Sequence, residues 1–320
     1  MSIAKEKIVF FGTPEFSLPS LKVLLANNFN IVAVVTNPDE PVGRKQKMTP
    51  PPVKVFAEKH NIPVFQPEKL TDEIFAQLSA SDCFVVVAYG KMIPKSFLGA
   101  AKYGIINVHP SLLPRWRGSS PLQFAILHGD NETGVTIMKI DEQMDHGPIL
   151  AKHELRIKND ELQKITYRRL HDQLAEKGAE LLVETLPKWF AEEITPVPQD
   201  DGKATFSKIL RKDDGRINWS KPAEEIERMV RAFNPWPGTW TVWPYDSKIF
   251  RVKIEEADWV QDEPSEGSSG FVWSNGPDSL LVKTGRGSLV IKKLTIQGKG
   301  SVFAKDFVRG HPQFMGSCLI

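Results

Sequence analysis

The sequence predicts a doubly wound α/β domain with a mostly parallel sheet, followed by a small β-barrel. Three observations point there. Apolar runs of strand length alternate with helix-like stretches through the first half of the chain. A proline- and acid-rich stretch without periodicity, ITPVPQDDGKATF, interrupts it before residue 207. Short β-prone runs at close spacing fill the remainder. Alternating β and α elements imply parallel strands joined by right-handed crossovers, whereas closely spaced short strands suit a small barrel. The expected division is therefore 1–190 for the α/β domain, 191–206 for a linker and 207–320 for the barrel.

Each element has a local cause. KIVFF at 7–11, IVAVVT at 31–36 and CFVVVA at 83–88 are continuous apolar runs, the pattern of parallel strands covered on both faces. Helix-like stretches at 17–28, 53–60 and 71–78 separate them. The apolar run at 104–108 reads as a further buried strand. Gly12 follows the first strand, but GTPEFS lacks the G-x-G-x-x-G spacing that lets a backbone approach a pyrophosphate, so a nicotinamide cofactor is not expected. From 159 to 190 the pattern predicts a long amphipathic helix, entered through Asn159, Asp160 and Glu161 and ended near Pro187. In the second domain a helix is predicted over 222–233, then strands over 239–243, 248–254, 270–273, 279–283 and 288–294.

Composition sets outer bounds. A chain of 320 residues, 41% of them hydrophobic, has enough apolar material for about two domains with real cores. Its 41 basic and 39 acidic residues nearly cancel, so net charge alone says little about nucleic acid. Two cysteines, Cys83 and Cys318, make neither a disulfide framework nor a cysteine-based zinc site. His109, His146 and His153 with Asp141 and Asp145 match no helical zinc spacing, and no metal is expected. The chain enters a strand almost at once, without a cleavable hydrophobic signal, and holds no apolar run of bilayer length. A cytoplasmic enzyme that does not associate with membranes is the expectation.

Two segments carry the chemistry. NVHPSLLPRWRGSSP, beginning at Asn107, leaves a strand and places an amide, an imidazole and a proline-bounded turn at its carboxyl end, where open α/β sheets bind ligands. DEQMDHGPIL, beginning at Asp141, sets Asp145 on a loop beside Gly147 and Pro148. Together they read as an acyl-transfer site. Asn107 and His109 sit two apart, so the period of a strand points both side chains one way and turns Val108 to the core. Both can donate to an oxyanion, and losing one such donor costs roughly 3 to 4 kcal/mol. Asp145 can accept or relay the proton that an attacking amine must lose and can orient His109. Each residue alone has an ordinary structural explanation; their compatible placement on one α/β pattern is what gives them weight.

These two segments resemble the signature segments of the folate-dependent formyltransferases. FFGTPEFSLPSL, TNPDEPVGRKQKMTPPPVK, RKDDGRINW and RAFNPWPGTW extend the resemblance over nearly the whole chain. It implies that Asn107, His109 and Asp145 form the catalytic triad and that Ser111, Leu112, Leu113 and Pro114 line a folate site. It further implies 10-formyltetrahydrofolate as donor and an OB-like form for the barrel. The family usually has glycine where Gln143 stands and a small residue or threonine where His146 stands. Adjacent loop side chains usually point apart, so His146 reads as peripheral. Met144 reads as a packing residue.

The acceptor is approached through charge distribution. From Ser279 onward Lys283, Arg286, Lys292, Lys293, Lys299, Lys305 and Arg309 face a single acid, Asp306, a cluster suited to phosphate contacts. A second basic loop, GRKQK, contains Arg44, Lys45 and Lys47; in the resembled family it enters a tRNA acceptor stem. Trp236 and Trp240 in NPWPGTW read as interdomain packing ahead of base stacking. The expected reaction is formylation of methionyl initiator tRNA by a monomer, with Lys292, Lys293 and Lys299 among the tRNA contacts. The nearest alternative acceptor is an amino-sugar nucleotide, because such enzymes share the Asn, His and Asp set. A non-catalytic RNA-binding protein is disfavoured by the intact triad, and glycinamide ribonucleotide formylation by the chain's length.

Overall fold

The computed structural model describes residues 5–43, 46–156, 164–262, 264–276 and 279–320. Two compact units emerge. The first comprises Met1–Pro121, Glu132–Ile157 and Leu170–Lys208; the second comprises Leu122–Asn131, Lys158–Arg169 and Ile209–Ile320.

Seven strands build the main sheet of the first unit: β1 (Lys7–Gly12), β2 (Asn30–Val35), β3 (Val64–Phe65), β4 (Cys83–Val87), β5 (Ile105–His109), β6 (Glu132–Lys139) and β7 (Ile149–Arg156). Their order across the sheet is β7-β6-β5-β4-β1-β2-β3. The first five in sequence run parallel, giving the doubly wound, mostly parallel class that the sequence predicts. β6 and β7 add an antiparallel hairpin at one edge, which the sequence expectation omits. The parallel strands read as continuous apolar runs because both faces are covered: Ile8, Val9 and Phe10 have no exposed surface. Phe11 meets Phe84 and Tyr89 edge to face, with ring centroids 5.7 and 5.4 Å apart.

The helices up to residue 190 are α1 (Leu18–Ala26), α2 (Pro52–Lys59), α3 (Asp72–Leu78), α4 (Pro121–Leu127), which falls in the second unit from Leu122 on, and α5 (Tyr167–Phe190), which falls in the first from Leu170 on. Along α5, Leu170, Leu174, Leu182 and Leu186 form a fully buried stripe at helical spacing. Each such leucine contributes about 1.5–3 kcal/mol relative to an exposed one. Gly178 lies on the same stripe, and a Cβ there would come within 2.8 Å of Val108 Cγ1, so glycine lets the helix close on β5. The start of the predicted helix is corrected, while its end at Phe190 is the one predicted. It starts at Tyr167, with 164–166 in turn and coil, and the expected entry at 159–161 lies outside the described residues. It also continues through Pro187 to Phe190; near a helix end the missing N–H removes one hydrogen bond without stopping the chain.

The stretch read as a linker, 191–206, makes ordered contacts within the first unit. Val197 and Ile149 exchange backbone hydrogen bonds of 2.8 and 2.9 Å, and Phe206–Ser207 pairs in parallel with Arg117–Gly118.

In the second unit α6 (Ala223–Phe233) precedes β8 (Thr239–Tyr245), β9 (Lys248–Val260), β10 (Val272–Trp273), β11 (Leu281–Lys283), β12 (Ser288–Ile296), β13 (Ser301–Phe303) and α7 (Ala304–Gly310). The strands are antiparallel in the order β8-β9-β12-β11-β10, with β13 on the free part of β12. Residues 316–320 join the two edges: Gly316 and Leu319 donate to Val272 and Gly270 beside β10, while Ile320 and Val242 of β8 exchange hydrogen bonds of 2.9 and 3.0 Å. The sheet is thereby closed into the small barrel that short strands imply, around Trp243, Val252, Ile254, Leu289 and Leu294. Trp240 lies under the Arg251 guanidinium at 3.6 Å. Trp236, read as a packing residue, is 56% exposed.

Cys83 is buried and Cys318 exposed, and both are free thiols. No helix among the described residues is long and apolar enough to cross a membrane.

Candidate active site

β5 delivers the first two residues of the site. Asn107 and His109 share one face of it, half-buried and 4% exposed respectively, while Val108 turns to the opposite face under α5. After the strand the chain turns tightly, with Ser111 N donating to the His109 carbonyl. Thr136 of β6, fully buried opposite His109, fixes this turn from below: its hydroxyl donates to the Ser111 carbonyl at 2.7 Å and accepts from Leu113 N at 3.1 Å. The Leu113–Pro114 peptide is cis, and Trp116 lies in the left-handed region at φ +59°. The loop thereby returns over the strand end, bringing the Trp116 carbonyl to 3.0 Å from His109 Nε2.

Asp145 reaches the same place from the loop between β6 and β7. Its backbone is left-handed, φ +49°, a conformation that non-glycine residues seldom adopt. Gly118 N donates to Oδ2 at 2.8 Å, and Asn107 Nδ2 donates to Oδ1 at 3.4 Å. His109 Nδ1 stands 3.6 Å from the same Oδ1. The structure thus brings together the three residues that the sequence places in the site. It adds two that were not expected there, Trp116 through its carbonyl and Gly118 through its amide; backbone groups leave no side-chain signal in a sequence.

The chemistry of the cluster follows from donor and acceptor types. A carbonyl only accepts, so His109 Nε2 carries hydrogen. Nδ1 then faces Asp145 either as a lone pair, which repels the carboxylate, or as a second N–H, which attracts it. The pair is built to hold or pass one proton. Asn107 supplies a neutral donor on the same face, so oxyanion stabilisation and proton transfer can occur side by side.

His146 turns away from this centre, as adjacent loop side chains should. Its Nδ1 lies 2.6 Å from Asp141 Oδ2 and its Nε2 3.4 Å from Asp201 Oδ2. The hydrogen bond to Asp141 is the main cause that raises its pKa, with burial opposing and the charge of Asp201 assisting. A raised imidazole pKa stabilises the fold fully below the unfolded value, and that stability is lost as pH rises through the folded value. His146→Thr is therefore expected to lower Tm by about 2–4 °C near pH 5.5, the effect of about 1 kcal/mol. The gap should close as pH rises through the folded value, with turnover little changed. Calorimetric scans across pH check this, and a pH-independent gap would refute it. Gln143 is exposed, and Met144, read as packing, is 67% exposed.

The remaining expected site residues fall in different surroundings. Ser111 is 1% exposed, its hydroxyl spent on the Arg115 carbonyl at 2.6 Å, and Leu113 is fully buried. Lys152 donates to the Leu113 carbonyl, and burial pushes its pKa down. Leu112 and Pro114 keep partly open faces. Arg44 and Lys45 lie outside the described residues, whereas Lys47 is exposed in the hairpin of Glu40–Val42 with Lys47–Thr49. In the second unit Lys292 pairs with Asp258 at 3.2 Å, Lys293 lies over Phe303, and Lys299 reaches His311 at 3.4 Å. Of the three, Lys292 has its charge offset by a carboxylate. Among the described residues no cluster of three or more His, Cys, Asp and Glu is placed to hold a metal ion.

Comparison with known proteins identifies the family. The formyl transferase family model matches residues 6–186, and the formyl transferase C-terminal domain model matches residues 209–312. A methionyl-tRNA formyltransferase of Citrifermentans bemidjiense is 43% identical over 316 residues, covering 98% of this chain and 96% of the relative. That of Myxococcus xanthus is 43% identical over 318 residues, covering 98% of each. Among solved structures, WlaRD, a sugar 3N-formyltransferase in the presence of dTDP and 5-N-formyl-THF, superposes with a TM-score of 0.62 at 21% identity over 94% of this chain and all of that one. At that identity the likeness shows the fold alone. With the family matched across both units, the chain belongs to the formyl transferase family.

Proposed function

We propose that the protein transfers the formyl group of 10-formyltetrahydrofolate to the free amino group of methionyl initiator tRNA, as a monomer in the cytoplasm. The observation that carries the reaction class is the convergence of Asn107, His109 and the Gly118 amide on Asp145. The acceptor rests on relatives that bear this activity in their names and match at 43% identity through both units. An amino-sugar nucleotide as acceptor is supported only by a likeness of fold.

The donor supplies a formyl carbon bonded to nitrogen. Attack by the methionine amine breaks the carbonyl π bond and puts charge on oxygen, where Asn107 Nδ2 and, when it carries the second ring hydrogen, His109 Nδ1 can donate to it, Nε2 being held by the Trp116 carbonyl. Asp145, alone or through one water, takes the proton that the amine releases; as the carbonyl re-forms, the bond from the formyl carbon to the donor nitrogen breaks and that nitrogen gains a proton. Because Ser111 and Leu113 are satisfied internally, the folate would lie against Leu112 and Pro114 and hydrogen-bond backbone groups of the loop. Exposed lysines on the hairpin and the barrel, Lys47 and Lys299 first, would meet tRNA phosphates.

Single-turnover formyl transfer to methionyl initiator tRNA, with an amino-sugar nucleotide as competing acceptor, tests the assignment. Formylation of the tRNA alone is the expected result. Transfer to the sugar alone would retain the triad and overturn the acceptor.

A further inference from the structure

Gln199 lies in the stretch read as a linker and belongs to none of the sequence motifs, yet its side chain contacts the site loop at two points. Nε2 donates to the carbonyls of Asp145 and Gly147, both at 2.8 Å. Oε1 accepts from Arg117 Nε at 3.0 Å. Guanidinium only donates, so this contact fixes which end of the amide is oxygen and leaves both amide hydrogens for the two carbonyls. Arg117 is 4% exposed, and its Nη2 is held by Asp201 at 2.7 Å. It also sits between Trp116, whose carbonyl meets His109, and Gly118, whose amide meets Asp145. One amide group therefore ties the loop that carries Asp145 to the loop that supplies the partners of both His109 and Asp145.

We propose that Gln199 is a positioning residue for Asp145, acting with Arg117 to hold the carboxylate at its separation from Asn107 and His109. The inference rests on the assignment of Asp145 to the chemistry. Asp145 has a left-handed backbone, which is uncommon outside glycine although Asp tolerates it better than most residues, and the surrounding bonds hold the loop in that conformation. Two of those bonds come from Gln199, on the Asp145 carbonyl itself and two residues further on. The strip bearing Gln199 is anchored in turn, through the backbone pairing of Val197 with Ile149 and the contact of Asp201 with His146. Without Gln199 the peptide after Asp145 is free to rotate, and a shift of about 1 Å at a reacting group can cost about 100-fold in rate.

The test is a double-mutant cycle of Gln199→Met with Asp145→Asn, read by single-turnover rate, by KM for donor and for tRNA, and by Tm. Gln199→Met keeps the side-chain length and removes the three hydrogen bonds. In the native background it is expected to lower kcat about 30- to 100-fold with both KM values within about twofold. In the Asp145→Asn background the further loss should be under about threefold, since no working carboxylate is left to misplace. Equal losses in both backgrounds would make Gln199 merely structural, and a raised KM with unchanged kcat would make it a substrate contact; either result overturns the proposal. If Asp145→Asn alone leaves the rate intact, the active-site assignment fails instead. Should Gln199→Met not fold, Gln199→Glu, which keeps the acceptor for Arg117 and loses both donors, enters the same cycle.

Discussion

Asp145→Asn is expected to lower the single-turnover rate of formyl transfer by about 10²- to 10⁴-fold, the range for removing a general acid–base group. The substitution is nearly isosteric, so the loss should fall on rate, with KM for either substrate little changed. Each polar neighbour that meets the carboxylate through hydrogen offers a donor: Asn107 Nδ2 at Oδ1 and Gly118 N at Oδ2. An asparagine must turn its NH₂ toward one of them, so one of the two hydrogen bonds becomes a donor–donor contact. His109 loses the negative charge that a second ring proton would face. A rate within threefold of the native value would remove Asp145 from the mechanism and leave oxyanion stabilisation by Asn107 and His109 to explain catalysis.

The second large effect is on stability. Gly147→Ala should destabilise the first unit by about 2–4 kcal/mol, as expected for a backbone collision in an ordered region. A Cβ at Gly147 would lie 1.9 Å from the Lys139 carbonyl oxygen and 3.3 Å from Asp141 N, so the backbone entering the loop is in the way. The two segments are held against each other. Lys139 N is bonded to the Pro148 carbonyl, closing the β6–β7 hairpin, and Gln199 is bonded to the Gly147 carbonyl. Urea denaturation of the purified variant checks this through its midpoint, and Gly300→Ala, where a Cβ would meet no described residue within 4 Å, serves as the control. A Gly147→Ala midpoint equal to that control would show that the loop can re-form without the close approach.

What the sequence made legible and what it hid divide along physical lines. The parallel strands were readable because burial on both faces leaves a continuous apolar run, and Val9 to Phe11 show it. Asn107 and His109 were readable because strand period alone sets their common face. The β6–β7 hairpin was not, since β7 alternates buried and open positions at a sheet edge and carries a weak signal. Gln199 was invisible for another reason. Its partners are two carbonyls and a guanidinium far away in sequence, and an amide in a proline-rich stretch looks like solvent-facing filler. Arg117 was hidden in the same way inside a motif whose neighbouring residues drew the attention. The excess of lysines after Ser279 was legible as composition, but its partial neutralisation by Asp258 depends on a strand pairing that no local pattern reports.

The strip at 316–320 has a consequence for biosynthesis. It is the part of the barrel made last, and β8, one of the two edges that it joins, is made among the first. During translation that unit must therefore spend the time needed to add some seventy residues with the Val242 backbone of β8 unpaired, joined by an open β10 once that strand is made, the condition in which nascent strands pair with neighbouring chains. The β8 rim can be satisfied only after Ile320 has cleared the ribosome.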